Sequence, residues 1–274
     1  MSRILCSTGA IITRKNNRDY TLLPAIVPRM HCDGVEFMMY ESWYRSPAGD
    51  EGHIETLKKT LADFNVPVFH MIKHIGEYVS LGNMAEAVAL FRADCGLAAA
   101  IHAELLVLHL WSGQASDQHI ERNIAAYPEL RAIAEEYGLL LTVENVLCNT
   151  RDPMTHLRAL AEAYPDIAFT WDTKMAAFHS QEEALYQPEN AWLWPHIRHF
   201  HVNDYAGGHM DWPNLSVKQL GQGRIDFDKF FAFVRGMGYT GDFTCEATAV
   251  NDDGSIRYAE MNHSLEHIAK EVAP

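Results

Sequence analysis

Four short apolar runs of the sequence each carry one side chain that is able to bind a metal ion. These side chains are Glu144, Asp172, His201 and Glu246, and each lies near the carboxyl end of its run. Three carboxylates and one imidazole form a ligand set for a divalent cation. Oxygen-rich ligation favours Mn²⁺ or Mg²⁺, and the imidazole also suits Co²⁺ or Zn²⁺. The residue types therefore predict one divalent metal ion, with its identity open among these four.

The free-energy cost of burying charge supports this interpretation. An unpaired carboxylate in a protein interior is costly, so acidic residues at the ends of buried runs need a cation or arginine partners. Arg198 and Arg224 are the alternatives to a metal ion that the sequence offers. The shared metal site is the preferred interpretation because four runs carry a ligand each.

The elements that must position these residues follow from hydrophobic periodicity. Eight β-rich runs alternate with segments in which apolar residues recur at helical spacing, which predicts a parallel sheet with right-handed crossovers. For 274 residues this pattern favours an α/β protein with one (β/α)8 TIM-barrel domain over 1–274. An open doubly wound sheet is the alternative, but no GxGxxG or GxxxxGK[ST] motif follows any run. The predicted strands are 3–12, 34–41, 67–72, 103–111, 139–145, 167–172, 197–204 and 242–248. The predicted helices are 53–64, 84–101, 121–138, 152–165, 226–239 and 264–272, with Asp152 and Asp226 as N-caps.

The barrel prediction brings the candidate ligands to one place. Functional side chains of such barrels lie at the carboxyl ends of the strands, which together form a single mouth. The four ligands belong to four consecutive predicted strands and are therefore expected at the same mouth. The segment 205–223 makes the loop after the seventh strand unusually long. With Trp212, this loop is expected to cover the mouth and contact substrate.

Other polar residues of the predicted strands allow a structural and a functional interpretation. His70 and His109 lie on the third and fourth strands and are second-tier candidates for substrate or metal contact. Each of them alone is more simply a hydrogen-bonded core histidine. His199 shares a face with His201 and is interpreted as a deeper barrel residue. Glu36 lies early on its strand and is expected to contact backbone or a lysine.

Composition bounds the class of protein and its partners. The 36 Asp and Glu outnumber the 22 Lys and Arg, giving a net charge of −14, which disfavours nucleic acid as a partner. Five cysteines without a CxxC pair indicate a reducing compartment, and no signal segment or membrane span is recognised, so we expect a cytoplasmic protein. A homo-oligomer is left open.

Several motifs together resemble a known family. In chain order they are LLLTVEN, IAFTWDT, IRHFHVNDY, LGQGRIDFDKF and GYTGDFTCEAT. This ordered set is similar to the xylose isomerase-like TIM-barrel superfamily, and within it to the sugar-phosphate isomerase/epimerase group. The resemblance implies that Glu144, Asp172, His201 and Glu246 bind one divalent metal. It also implies that Glu144 and Glu246 act as an acid–base pair on a small sugar, sugar phosphate or related keto-polyol, through an enediolate.

The sequence also departs from that family. Where members commonly read DTGHA after the sixth strand, this chain reads DTKMA, with Lys174 and Met175. An arginine that epimerases carry beyond the strand-seven histidine is replaced in a run containing Gly207 and His209. Lys174 is assigned to substrate binding through a phosphate or carboxylate, with a solvated loop residue as the alternative.

Three other functions stay open at this point. A metal-dependent dehydratase would use the same enolate on a keto-polyol. An endonuclease IV-like zinc phosphodiesterase would use His70 and His109 as further ligands, but it needs a ligand at Met175. A non-enzymatic ligand-binding barrel would hold no tightly bound metal.

Overall fold

The fold is a closed barrel of eight strands in the order β1 to β8. A computed structural model of the chain describes residues 2–44, 52–111 and 116–273. The predicted (β/α)8 fold is therefore confirmed. The strands are β1 Ile4–Ser7, β2 Gly34–Met38, β3 Val68–His70, β4 Leu105–Leu108, β5 Leu140–Glu144, β6 Ala168–Asp172, β7 Ile197–Val202 and β8 Asp242–Cys245.

Helices alternate with these strands, as the periodicity of the sequence predicts. The α-helices are α1 Thr8–Ile11, α2 Leu23–Ile26, α3 Gly52–Leu61, α4 Ile75–Ser80, α5 Met84–Ala100, α6 Ile120–Glu136, α7 Pro153–Ala163, α8 Thr173–Phe178, α9 Phe227–Gly236 and α10 Tyr258–Val272. Short 3₁₀ turns occupy Arg14–Asn16, Tyr20–Leu22, Val27–Arg29, Glu41–Trp43, Ser116–His119, Ala184–Tyr186, Pro188–Asn190, Trp194–His196 and Trp212–Asn214.

Most of the predicted strands extend past the observed ones, and the first two show the reason. The first apolar run does not continue as a strand to residue 12, because α1 begins at Thr8 and Ser7 caps it by accepting the Gly9 N–H. The second strand ends at Met38, so Glu41 lies in a 3₁₀ turn beyond it. In both cases an apolar run continues past the strand, which periodicity cannot distinguish from the strand itself.

Among the described residues, side chains of aspartate N-caps start three α-helices. Asp152 and Asp226 accept the N–H groups of Thr155 and Lys229, as predicted for α7 and α9. Asp172 does the same for Met175 and starts α8 directly at the end of β6. A capping aspartate accepts an N–H that the first turn of the helix leaves without a partner. The candidate ligand Asp172 is therefore held at the point where β6 ends and α8 begins.

By its internal contacts the chain divides into two compact units. The first unit comprises Met1–Glu36 and Trp171–Pro274, and the second comprises Phe37–Thr170. The prediction that 1–274 form a single domain stays a prediction.

In the first unit, parallel pairing holds β1 to β2 and to β8, and β7 to β8. An aromatic layer packs α9 on these strands. Phe200 of β7 stacks on Phe243 of β8 with ring centroids 5.5 Å apart, and Phe230 of α9 meets Phe200 edge-on at 5.3 Å. This packing holds β7, which carries His201, and β8, which directly precedes Glu246.

In the second unit, parallel pairing connects β3, β4, β5 and β6, with Glu144 opposite Thr170. The hydroxyl groups of Thr142 and Thr170 lie 2.8 Å apart in the buried interior. Among the described residues, none of the helices is long and apolar enough to cross a membrane.

Candidate metal centre

Three of the four predicted ligands lie together in the first unit. The Nδ1 atom of His201 lies 3.4 Å from Oε2 of Glu246 and 3.9 Å from Oδ2 of Asp172. The side chains of Asp172 and His201 are fully buried, and that of Glu246 is 12% exposed. We call Asp172, His201 and Glu246 the mouth cluster. One ligand atom of each residue lies within 4.8 Å of the others, so two carboxylates and one imidazole converge as a divalent cation requires.

Asp172 is held by the backbone that follows it. Its Oδ1 atom accepts the Met175 N–H at 2.7 Å, and its Oδ2 atom accepts the Asn203 side-chain N–H at 3.1 Å. The carboxylate is therefore oriented by a helix N-terminus and an amide while Oδ2 also faces His201. Met175 thus contributes its backbone, and its thioether supplies no carboxylate or imidazole for a second metal.

Glu36 contacts the mouth cluster, which the sequence did not lead us to expect. The expectation that it contacts backbone or lysine did not include its main contacts: its carboxylate lies 3.0 Å from Nε2 of His199 and 3.0 Å from Nε2 of His201. All three side chains are fully buried. Glu36 and His201 are 165 residues apart in sequence. The only sequence signal was a glutamate inside a buried strand, which needs a partner.

The second unit holds another cluster of histidine and carboxylate. Nε2 of His109 lies 2.7 Å from Oε2 of Glu144 and 3.0 Å from Nε2 of His70, whose own distance to Oε2 of Glu144 is 3.7 Å. All three residues are buried. His70 and His109 are thus buried and hydrogen-bonded to each other beside the predicted acid–base residue Glu144, and their role in substrate or metal contact stays a prediction. The inclusion of Glu144 in a four-residue ligand set stays a prediction.

The residues assigned to substrate contact differ in their surroundings. Lys174 lies in α8 and its residue surface is only 8% exposed, so the alternative of a solvated loop lysine was wrong. Trp212 is half-buried and meets Phe178 edge-on at 4.9 Å. The role of the 205–223 loop as a cover stays a prediction.

The loop after β7 is anchored at both ends. Asp204 pairs with Lys218 through backbone hydrogen bonds, and its carboxylate accepts the N–H groups of Gly221 and Gly223. The guanidinium of Arg224 donates to the carbonyls of Gly207 and Ala177 and pairs with Glu182. Arg224 therefore anchors the loop after β7. Its guanidinium is engaged by these partners, although the sequence offered it as an alternative to a metal ion beside the candidate carboxylates.

A further buried cluster of the second unit was also missed. Asp117, Cys148 and His156 lie within 4.8 Å of one another, and we call them the loop cluster. Asp117 accepts the N–H groups of Asn149, Thr150 and Arg151 at 2.7–3.2 Å and lies 3.5 Å from Nε2 of His156.

Burial and hydrogen bonding set the protonation states of the loop cluster. Burial alone would raise the pKa of Asp117, but the three N–H groups and His156 outweigh it and lower that pKa below its ordinary value. Burial lowers the pKa of His156, against the opposing effect of Asp117. Burial raises the pKa of the Cys148 thiol, which therefore stays protonated at neutral pH.

The family comparison agrees with the geometry of the strand ends. The family described as xylose isomerase-like TIM barrel matches residues 25–271, and the chain belongs to this family. In the comparison with curated proteins, no match was found.

Solved structures with the same fold share little sequence with this chain. An L-ribulose 3-epimerase has a TM-score of 0.71 at 18% identity, covering 99% of this chain and 95% of its own. An IolI protein with a zinc atom bound has a TM-score of 0.69 at 13% identity, and the match covers 98% of this chain and 96% of that protein. A D-allulose 3-epimerase from Methylomonas sp. in complex with D-allulose has a TM-score of 0.67 at 15% identity, and the match covers 98% of this chain and 97% of that protein. At these identities the likeness establishes the fold.

Proposed function

We propose that this protein is a divalent-metal-dependent isomerase or epimerase of a small sugar, sugar phosphate or related keto-polyol. The observation that carries the proposal is the mouth cluster, in which the buried Asp172 and the partly exposed Glu246 face Nδ1 of His201. Membership of the xylose isomerase-like family supports it, as do neighbours that are L-ribulose and D-allulose 3-epimerases. The zinc-containing IolI neighbour supports the metal.

The proposed ligand set adds Glu144 to the mouth cluster. Glu144 ends β5, and the barrel order places β5, β6, β7 and β8 in succession, so the four side chains belong to consecutive strand ends. A divalent ion bound by them would polarise a carbonyl and an adjacent hydroxyl, acidify the neighbouring C–H and stabilise the resulting enediolate.

Glu246 and Glu144 are the proposed acid–base pair. Of the mouth cluster, Glu246 is the side chain with an exposed fraction, so its carboxylate is accessible to take the proton from the carbon beside the carbonyl. Glu144 would return a proton on the other face, with His109 oriented on its Oε2 atom at 2.7 Å. Positioned carboxylates of this kind contribute roughly 10²–10⁴-fold to proton transfer.

Four residues are proposed to bind the rest of the substrate. His70 and His109 would donate hydrogen bonds to hydroxyl groups, since both rings reach Glu144. Trp212 would pack on the sugar from the 205–223 loop. Lys174 would bind a phosphate or carboxylate, because a lysine with so little exposed surface needs an anionic partner.

Hydrogen exchange tests the proposed reaction. Protein loaded with Mn²⁺ is incubated in D₂O with a panel of ketoses and ketose phosphates, and deuterium beside the carbonyl is measured by NMR. We expect incorporation, and its loss in Glu246→Gln but not in Glu266→Gln, which changes an exposed glutamate of α10. Absence of exchange across the panel would contradict the proposal.

Two alternatives are distinguished by product and metal count. A dehydratase would pass through the same enediolate but release a deoxy or unsaturated product. The His70–His109–Glu144 cluster is the observation that favours an endonuclease IV-like zinc phosphodiesterase. Three metal ions per chain would support that enzyme, whereas one ion supports the isomerase. The cytoplasmic location and a homo-oligomeric state stay predictions.

A further inference from the structure

The buried carboxylate of Glu36 contacts the imidazole of the mouth cluster at its Nε2 atom. Nε2 of His201 lies 3.0 Å from Oε1 and 3.1 Å from Oε2 of Glu36. The other ring nitrogen, Nδ1, lies 3.4 Å from Oε2 of Glu246 and 3.9 Å from Oδ2 of Asp172. The two nitrogen atoms of one ring therefore face two different sets of carboxylates.

Hydrogen-bond chemistry decides which nitrogen carries the proton. An ionised carboxylate only accepts hydrogen bonds, so Nε2 of His201 must donate an N–H to Glu36. A neutral imidazole then has its lone pair on Nδ1. Nδ1 is also the ring nitrogen from which the distances to Asp172 and Glu246 are measured. This is the arrangement in which an outer carboxylate orients a metal-binding histidine.

His199 helps to hold the carboxylate of Glu36. Its Nε2 atom lies 3.0 Å from Oε2 of Glu36 and 3.0 Å from Oγ1 of Thr244. Thr244 pairs with His201 in the register of β7 and β8. Two neighbouring imidazoles and one hydroxyl group thus form a polar layer around Glu36 in the barrel interior.

We infer that Glu36 is a positioning residue that fixes the Nε2–H tautomer and the orientation of His201, so that Nδ1 binds the metal. This inference rests on the proposed metal-dependent function. Outer-shell partners of this kind change metal affinity by about 10–100-fold. Glu36 would act through His201 and would not itself contact substrate.

The dissociation constant for Mn²⁺, measured by calorimetry, tests the inference. Glu36→Leu removes the acceptor, and we expect it to weaken binding by about 10–100-fold. Glu36→Gln keeps a carbonyl oxygen that can accept the Nε2–H, so binding should recover most of that loss. Thr244→Val is the matched control from the same polar layer and should change the constant by less than about threefold, because it removes no acceptor of His201.

The outcomes separate this inference from the proposed function. An unaltered protein that binds no Mn²⁺ overturns both. Equal dissociation constants for the unaltered protein and Glu36→Leu overturn the inference alone. Equal losses of affinity in Glu36→Gln and Glu36→Leu also overturn it, because they would indicate that Glu36 is itself a metal ligand.

A spectroscopic measurement needs no variant that must fold. In the Zn²⁺-loaded unaltered protein, ¹⁵N–¹H correlation spectra of labelled histidine should show His201 protonated at Nε2 and bound to metal through Nδ1. Metal bound through Nε2 would overturn the inference.

Discussion

The mouth cluster and the loop cluster contain the same chemistry in different surroundings. Each places carboxylate beside imidazole in a buried region. In the loop cluster, Asp117 accepts three backbone N–H groups. In the mouth cluster, Asp172 accepts one backbone N–H and then faces His201 and its partner acid. From this difference we propose that Asp117, held by backbone donors, is a structural residue, whereas Asp172, which faces His201 and Glu246, is a metal ligand.

The largest effect that we expect from changing either cluster is the loss of catalysis at the mouth cluster. Glu246→Gln should lower kcat for isomerisation by about 10²–10⁴-fold, since the amide cannot take the proton. The melting temperature should stay within about 3 °C of the unaltered protein. Glu266→Gln is the exposed control. Retention of more than a tenth of the activity in Glu246→Gln would remove this residue from the reaction.

The corresponding change in the loop cluster should affect stability. Asp117→Ala leaves three loop N–H groups without their acceptor, so the free energy of unfolding in urea should fall by about 3 kcal/mol. Asp253→Ala removes a carboxylate from an exposed turn and should cost less than about 1 kcal/mol. If Asp117→Ala instead weakened Mn²⁺ binding without loss of stability, the distinction between the clusters would be wrong.

A change at Lys174 tests the proposed binding of an anionic substrate group. Lys174→Met should raise KM for a ketose phosphate by about tenfold, as expected for loss of a charge-assisted hydrogen bond. KM for the unphosphorylated ketose should change by less than about twofold, so this sugar is the internal control. An equal rise for both sugars would mean that Lys174 supports the fold of α8 and does not read an anion.

The smallest effect is the pH dependence of the loop cluster. The lowered pKa of His156 means that the unfolded chain binds a proton more readily near the ordinary histidine pKa. Stability from neutral His156 is therefore complete above about pH 6.5 and declines as the pH falls through its lower folded-state pKa. The lowered pKa of Asp117 acts in the same direction at more acidic pH.

Urea unfolding at pH 7.5, 6.0 and 5.0 checks this expectation against His156→Gln. The unaltered protein should lose about 1 kcal/mol more than the variant between pH 7.5 and 5.0. The opposite sign, or parallel curves for the two proteins, would show that His156 is not held neutral by burial.

The barrel fold and the grouping of the candidate ligands near the strand ends could be predicted from local sequence, whereas several strand boundaries could not. Apolar runs set the strands, and the carboxyl ends of parallel strands share one face, so Asp172, His201 and Glu246 were found together. The start of α7 at Asp152 followed from the Asp-Pro pair. The position of Glu144 relative to the mouth cluster stays a prediction.

Glu36 and the loop cluster could not be predicted because their partners are distant in sequence. Glu36 reaches two histidines more than 160 residues away, and strand patterning gives no such register. Asp117 and Cys148 lie in loops, where hydrogen bonding to backbone depends on the conformation of the loop and not on residue type. The short helix α8 was also missed, since its six residues carry too little periodicity.

Metal content per chain tests the central claim most directly. Purified protein is incubated with Mn²⁺, freed of excess metal by gel filtration and measured by atomic absorption, together with His201→Gln and Asp117→Ala. We expect one ion per chain in the unaltered protein, less than a tenth of one in His201→Gln and one in Asp117→Ala. No retained metal in the unaltered protein, or full retention in His201→Gln, would contradict a metal centre at the mouth cluster.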